Sequence, residues 1–308
     1  MSERTRQDVI AAARDLGYRH PAVYEGRADA AQGSHIVLLI PRQDVHDSEF
    51  WLDVIAGAEE EANRLGYALV TRPIADDTAA AAPPPSSVRG LIIAGSRARE
   101  ATAPYLDAGV PATLITYPTP LERLDSVTIG DWEGGYVAGD HLYDLGHRSI
   151  AFVTASLEKP SNAERLRGLL DALGHHDDVT VTSIVLDAKD PGISFEAHYH
   201  DLALRGAPPT ALFASTDSVA FTAIWALNRS GIRVPDDVSV VGFNDSSQAS
   251  TFVPRLTTLR VPMRTIGATA MRNLHGRITE VEGPTPPVRL SLPPEFVLRE
   301  STAPPKGR

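Results

Sequence analysis

The chain contains ten histidines, a residue type that can bind metals or transfer protons. Residues 175–178 read HHDD and carry groups that can ligate zinc. Neighbouring residues cannot easily form a closed tetrahedral site, so a solvated turn is the better interpretation. His198 and His200 stand two apart on a predicted helix and point in different directions. The histidines therefore predict no metal site.

Catalytic patterns are also missing from the sequence. It contains no G-x-S-x-G elbow, P-loop or HExxH, and Gly134, Gly135 and Gly139 do not form the dinucleotide fingerprint. The absence of cysteine excludes disulfides, thiolate nucleophiles and cysteine-ligated zinc. We therefore expect a protein that is not an enzyme and carries no cofactor.

A few side chains suit binding instead. Ser161 and Arg165 are four residues apart and share one helix face, and the guanidinium offers forked donors to hydroxyl, carboxylate or phosphate groups. A surface arginine pairing with Glu158 or Glu164 is the alternative. The ring of Trp51 could stack on a sugar or base, or could be the first core residue of its helix.

Composition limits the class of protein. The 308 residues are 43% hydrophobic, which predicts one or two sizeable cores, and the formal net charge is -10. An acidic chain attracts phosphate poorly, so any contact with DNA requires a locally basic element. No secretory signal or long apolar run is present, and we expect a cytoplasmic protein without a membrane span.

Short apolar runs alternate with segments of helical spacing, which predicts parallel βαβ units and an α/β fold of doubly wound sheets. Ligands of such sheets bind beyond the carboxyl ends of the strands. The strands are predicted at 35–40, 67–71, 91–94, 112–115, 150–154, 181–186, 211–214 and 238–242, and helices at 51–65, 136–145, 163–173, 195–204 and 218–229.

Other segments interrupt this alternation. Residues 75–87 contain three consecutive prolines and predict a surface loop, and the polar residues 19–34 predict a linker. The tail from Ser301 is expected to be frayed. Gly242 is expected to let the backbone leave its strand sharply.

Four blocks of sequence resemble the LacI/GalR family of transcription regulators. They read GIRVPDDVSVVGFND, LTTL, HLYDLGHRSIAFV and LPPEFVLREST, at residues 231–245, 256–259, 141–153 and 292–302. The resemblance implies two Rossmann-like lobes joined by three crossovers, a small-molecule effector in the cleft between them, a homodimer, and operator DNA as partner. It places residues 35–130 with 262–290 in an N-terminal lobe, 131–261 with 291–302 in a C-terminal lobe, and 303–308 in a tail.

The resemblance also implies effector contacts. Phe50 and Trp51 stand where the family has an aromatic pair or near-pair, and Ser96 stands in a loop that often lines the pocket, with turn formation as its alternative role. Arg165 matches the family arginine that reaches into the cleft, with Ser161 one turn before it.

Four further positions border the implied pocket. Asp131 and Asp217 match such positions, although each could instead cap the helix that follows. Asn244 replaces a family aspartate that commonly holds two sugar hydroxyls, and Val261 replaces a common glutamine. These two departures put a standard sugar effector in doubt and admit a less polar or partly anionic ligand. A sugar, a sugar derivative and a nucleobase-like compound all remain open.

The N-terminal end departs further from the family pattern. Residues 2–18 resemble the third helix of the DNA-binding headpiece, residues 22–30 lack the hinge leucine, and residues 1–34 are therefore expected to be a headpiece remnant with its linker. Either the start is misassigned or trimmed, or the chain is a stand-alone sensor; in both cases these 308 residues should not bind operator DNA specifically. A periplasmic-type sugar-binding protein is the alternative function.

Overall fold

The protein is described from a computed structural model, which covers residues 35–41, 49–74, 88–95, 99–115, 123–206, 208–279 and 286–306. The expected headpiece remnant, the loop at 75–87 and Ser96 lie outside these ranges.

The first lobe is built on a six-stranded, wholly parallel sheet. Its order is β11-β5-β4-β3-β1-β2. Short apolar runs form the central strands because both faces of the sheet are covered by helices. The strands are β1 (His35–Pro41), β2 (Ala68–Ile74), β3 (Val88–Ala94), β4 (Ala112–Ile115), β5 (Asp125–Ile129) and β11 (Arg289–Leu292).

The second lobe repeats this order with β12-β10-β9-β8-β6-β7. Its pairs are parallel except that β12 runs antiparallel to β10. The strands are β6 (Ser149–Thr154), β7 (Thr180–Val185), β8 (Ala211–Ala214), β9 (Ser239–Asn244), β10 (Thr257–Arg260) and β12 (Glu295–Val297). The predicted α/β class with two doubly wound sheets is confirmed.

Seven helices cover the two sheets within the described residues. One face of the first sheet carries α1 and α7, and the matching face of the second carries α3 and α4. The chain passes between the lobes three times, after β5, after β10 and after β11. The helices are α1 (Glu49–Arg64), α2 (Arg99–Asp107), α3 (Asp131–Asp144), α4 (Pro160–Leu173), α5 (Pro191–Leu204), α6 (Asp217–Arg229) and α7 (Met263–Thr279).

The same glycine contact joins a helix pair in each lobe. In the first lobe a Cβ on Gly57 would overlap the carbonyl of Arg264, and a Cβ on Gly267 would overlap that of Val54. In the second lobe a Cβ on Gly168 would overlap the carbonyl of Trp132, and a Cβ on Gly135 would overlap that of Arg165. In all four helices the contacted carbonyl belongs to the residue three positions before the glycine of the same helix. By this match α1 corresponds to α4, and α7 corresponds to α3. We call each contact a glycine clasp.

The C-terminal residues are ordered as far as Lys306, so the expectation of a frayed tail from Ser301 is wrong for residues 301–306. Ser301 is fully buried; its hydroxyl donates to the carbonyl of Val240 at 2.6 Å and accepts from the amide of Thr257 at 2.8 Å. Lys306 pairs with Asp237 at 2.8 Å. A short polar segment is therefore ordered by backbone groups that its sequence does not reveal.

The expected boundary between residues 290 and 291 falls inside β11. Ser291 and Leu292 pair with Thr128 and Ile129 of the first sheet. The chain therefore passes to the second sheet after Leu292, two residues later than the family resemblance implies.

Candidate functional site

The carboxyl ends of β8 and β9 meet the first turns of α3 and α4, and a buried ion pair lies at this junction. Nε of Arg165 donates to Oδ1 of Asp131 at 2.7 Å. The side chains are 5% and 1% exposed, so both charges are removed from water. Asp131 is the first residue of α3 and Gly130 is its N-cap, so the capping role considered for Asp131 is wrong.

Arg165 has two further partners in the second lobe. Its Nη1 donates to the carbonyl of Ser215, which follows β8, and its guanidinium lies 3.6 Å from the ring centroid of Phe243. Its Nη2 donates no hydrogen bond to any described residue. A nearly buried nitrogen with two N–H groups left over is a donor suited to a ligand.

The corresponding positions of the first lobe are apolar. Counting from the glycine clasps, Val54 corresponds to Arg165 and Met263 to Asp131. Both are buried, at 0% and 9% exposure. The fold therefore forms this helix contact without any charge in one lobe, while the other lobe buries an ion pair in the same place.

Asp217 is buried at the start of α6, but it does not cap that helix. Thr216 is the N-cap and accepts from the amide of Val219, so the capping role considered for Asp217 is wrong. Oδ1 of Asp217 accepts from the Thr258 hydroxyl and Oδ2 from the Ser246 amide, both at 2.6 Å. Burial raises the pKa of Asp217, and these two hydrogen bonds oppose that shift. Both oxygens thus hold the turn after β9.

Gly242 makes room for this carboxylate. It lies inside β9, and a Cβ there would overlap Oδ1 of Asp217 and press on Leu256. The expectation that Gly242 lets the chain leave the sheet sharply is wrong, because the glycine serves close packing instead.

The turn that Asp217 holds carries Asn244 in a conformation unfavourable for a residue with a side chain. Asn244 has φ 120° and Asp245 φ 57°. Asp245 anchors the turn, accepting from Nε of Arg260 at 2.7 Å and from Nη2 of Arg299 at 2.6 Å. Strained residues that several contacts hold in place concentrate at functional sites. The half-buried Asn244 amide is thereby fixed at the carboxyl end of β9.

The aromatic pair lies on the first lobe, at the start of α1. The rings of Phe50 and Trp51 meet edge to face with centroids 4.9 Å apart, and both are half-buried against the core. Ser161 on α4 corresponds to Phe50 on α1, because each lies four residues before the equivalent positions Arg165 and Val54. The ring of Trp51 packs on the core while part of it remains exposed. Its stacking on a ligand stays a prediction.

Some residues of this region have no signal in the sequence. Asn162 fixes the loop after β6 by donating to the hydroxyl of Thr154 at 3.0 Å and the carbonyl of Ser156 at 2.8 Å. Ser215 and Phe243 hold Arg165 from 50 and 78 positions away in the chain. Only the tertiary fold brings these groups together.

Comparison with known proteins gives the family. The model of the periplasmic binding protein-like domain matches residues 139–302, just over half of the 308-residue chain. The chain belongs to this family. Its two sheets of repeated order are the architecture that a periplasmic binding protein-like domain requires.

Relatives of this periplasmic binding protein-like chain regulate transcription. The HTH-type transcriptional regulator DegA of Bacillus subtilis is 29% identical, with 99% of this chain and 91% of DegA covered. The transcriptional regulator CelR, solved with cellobiose, is 26% identical, with a TM-score of 0.71, 98% of this chain and 91% of CelR. The chain is a LacI-type transcription regulator, and the stand-alone or periplasmic-type sugar-binding alternative is not favoured.

The fold of a further LacI-family regulator, from Enterococcus faecium with bound ribose, matches with a TM-score of 0.73 at 24% identity, covering 89% of this chain and 100% of that one. Within its described residues, this periplasmic binding protein-like chain contains no helix with the length and apolar character needed to cross a membrane. Those residues also include no cluster of three metal-ligating side chains.

Proposed function

We propose that this regulator binds a small polar effector between its lobes, with Arg165 donating through Nη2. The Asn244 amide and the exposed edge of the Phe50–Trp51 pair complete the site, and Ser161 borders it. Asp131 and Asp217 act as positioning residues, Asp131 through Arg165 and Asp217 through the turn that carries Asn244. Ser96 remains a predicted contact on a loop outside the described residues.

The observation that carries this proposal is a difference between the two lobes. The second lobe has the buried ion pair of Arg165 and Asp131 where the first lobe has Val54 and Met263. Burying two charges costs several kcal/mol of desolvation per ion, and a well-packed apolar pair is often as stable or more so. The first lobe shows that an apolar pair fits this clasp. The charges therefore serve something other than folding, and an arginine with an unused nitrogen serves ligand recognition.

The effector class follows from donors and acceptors at the site. Arg165 supplies N–H donors, and the Asn244 amide supplies both a donor and an acceptor. Hydroxyl groups suit this set, and the half-buried aromatic pair suits the apolar face of a sugar or base ring. CelR, which was solved with cellobiose, is consistent with a sugar or sugar derivative, and a nucleobase-like ligand is the second choice.

The protein is a homodimer in this proposal, and an apolar surface on the second lobe suits the dimer contact. Ile193, Trp225 and Val253 are 56%, 52% and 84% exposed. Trp225 packs beside Gly192, the neighbour of Ile193. The rings of Phe221 and Phe252 lie 4.6 Å apart, and Phe252 precedes Val253 in the chain. We call the surface formed by Ile193, Phe221, Trp225, Phe252 and Val253 the apolar patch; large apolar patches mark interfaces.

Regulation then works through the angle between the lobes. An effector that binds one lobe arrangement more tightly shifts the population toward it, and only by that difference in affinity. Through the dimer this alters, in the cytoplasm, the spacing of DNA-reading headpieces joined to the two bodies. Operator DNA is contacted only through such headpieces. The protein acts by binding, not by catalysis.

Calorimetry tests the site with ribose, cellobiose and adenine on the wild type and on the variant D131M/R165V, which installs the residues of the first lobe. At least one ligand should bind the wild type, and the variant should bind it roughly ten-fold or more weakly, since hydrogen bonds to charged groups contribute about 1.5–3 kcal/mol. Unchanged affinity would remove Arg165 from the site, and no binding by all three would reject the ligand class.

A further inference from the structure

The outer face of the second glycine clasp differs chemically from that of the first. Nε1 of Trp132 donates to Oδ2 of Asp171 at 2.7 Å. At the corresponding positions of the first lobe, Nη1 of Arg264 donates to Oε1 of Glu60 at 2.6 Å. An exposed ion pair on one lobe is thus replaced by a tryptophan on the other.

An open recess of about 280 Å³ lies beside this tryptophan, at the seam between the lobes. The ends of β5 and β11 contribute Thr128, Ile129 and Ser291, and the second lobe contributes Trp132, Glu133 and Glu164. Arg167 and the buried Asp131 complete the lining. Since residues from both lobes line the recess, a molecule in it contacts both.

The charge of the lining is negative. Asp131 is neutralised by Arg165, and Glu164 by Arg167, which donates to it through Nε at 3.2 Å. The exposed carboxylate of Glu133 has no hydrogen bond or ion pair to any described residue. The recess thus offers one uncompensated carboxylate beside an indole ring, with the side-chain oxygens of Thr128 and Ser291 across the seam.

We propose that this recess is a second ligand site, which takes an amino sugar. The Arg167 guanidinium lies 5.8 Å from the centroid of the Trp132 ring, and the exposed part of the indole can stack on the apolar face of the sugar ring. The ammonium group pairs with Glu133, and ring hydroxyls bond to Thr128 and Ser291. Anionic sugars are repelled by the carboxylate, and neutral ones lack the ion pair. The recess shares Asp131 with the proposed effector site, but its contacts Trp132 and Glu133 differ from Arg165 Nη2 and Asn244.

The test is calorimetry of the full chain at low salt with three pyranoses that differ in charge, namely glucosamine, glucose and glucuronate. We expect glucosamine to bind with Kd of about 1 mM or tighter, and the other two at least about ten-fold more weakly. Trp132→Ala should abolish glucosamine binding and Glu133→Gln should weaken it about ten-fold.

Two control variants locate the binding. Glu60→Gln alters the corresponding face of the first lobe and should leave glucosamine affinity unchanged. Asn244→Asp adds a carboxylate to the proposed effector site, so tighter glucosamine binding in that variant would place the ligand there and overturn the proposal. Absence of glucosamine binding, equal binding of glucose, or unchanged affinity in Trp132→Ala and Glu133→Gln would each overturn it as well, and none of these results bears on Arg165.

Discussion

Arg165 and Asp131 are mutually dependent at the scale of single residues, because each is the partner that neutralises the other in the core. Arg165→Val alone leaves Asp131 charged and buried, and should lower the free energy of unfolding by about 3–5 kcal/mol. D131M/R165V should remain within about 1 kcal/mol of the wild type or exceed it. Urea unfolding measures both variants. A double variant as unstable as the single one would mean that the ion pair serves folding.

His147 makes stability depend on pH. It is buried, and Nε2 lies 3.0 Å from the carbonyl of Ala303, an acceptor, so Nε2 carries the hydrogen and Nδ1 accepts from the hydroxyl of Thr210 at 3.0 Å. Burial lowers the pKa of His147, against the opposing bond to Ala303, and nearby His141 and Arg148 lower it further. The folded state therefore binds fewer protons than the unfolded state near the ordinary histidine pKa of about 6.5.

The stability that neutral His147 contributes is fully present above the unfolded-state pKa of about 6.5. It is lost as the pH falls from that value toward the lower pKa of the folded state. We expect the Tm to fall between about pH 7.5 and 5.5, and His147→Gln to reduce the slope. Burial also lowers the pKa of His141, so part of the slope of Tm against pH will remain in the His147→Gln variant. The exposed His200→Gln serves as control; if it flattened the slope as much, His147 would not be the cause.

The spacing of residues 161–168 and the family resemblance predict Arg165 as a site residue, and this role stays a prediction. The environment in which the structure buries Arg165 could not be predicted. Ser215 and Phe243 meet Arg165 only after two strands align at one sheet edge. Two roles are predicted for Asp217, ligand contact and helix capping. The structure excludes capping, and ligand contact stays a prediction. The partners that hold its carboxylate, Thr258 and Ser246, could not be predicted because they lie far along the chain.

The glycine clasp sets the distance between α3 and α4 at the scale of elements. Gly135→Ala would drive a methyl group into the carbonyl of Arg165, and overpacking of this kind costs about 1–3 kcal/mol. Gly276, inside α7, has open space around its Cβ position, so Gly276→Ala should instead stabilise the protein by about 0.5–1 kcal/mol. Thermal unfolding compares the two. Equal effects of the same sign would show that helix propensity, not packing, decides.

Strands made of continuous apolar residues could be predicted, because burial on both sheet faces leaves no polar position. β1 and β8 are found as predicted, His35 and Ala211 opening each. The edge strands β11 and β12 alternate or are too short, so their sequences resemble loops. α7 contains Gly267 and Gly276, which weaken its helical pattern although the clasp requires the first of them.

At the scale of the whole molecule, the proposed dimer depends on the apolar patch. Placing a charge within it, as in Trp225→Glu, should convert a dimer into monomers, because an unpaired buried charge opposes association. Leu204→Glu changes a residue of 74% exposure outside the patch and should leave the dimer intact. Light scattering after size exclusion reads both masses. A Trp225→Glu protein that stays dimeric would place the interface elsewhere.

The duplicated architecture of the whole molecule was anticipated from strand–helix alternation together with the resemblance, and the sheets confirm it. The residue-by-residue correspondence of the two lobes could not be predicted from the sequence. Val54 and Arg165 share no property that a sequence comparison would match, and neither do Met263 and Asp131. Only the common backbone contacts of the four glycines show that these residues occupy equivalent places.

A crystal structure of the wild-type chain with the tightest-binding ligand of ribose, cellobiose and adenine tests the central claim most directly. The account predicts the ligand between the lobes, accepting a hydrogen bond of about 2.8–3.0 Å from Nη2 of Arg165 and touching Asn244. A ligand bound away from the carboxyl ends of β8 and β9, with Arg165 still screened from it, would contradict the account.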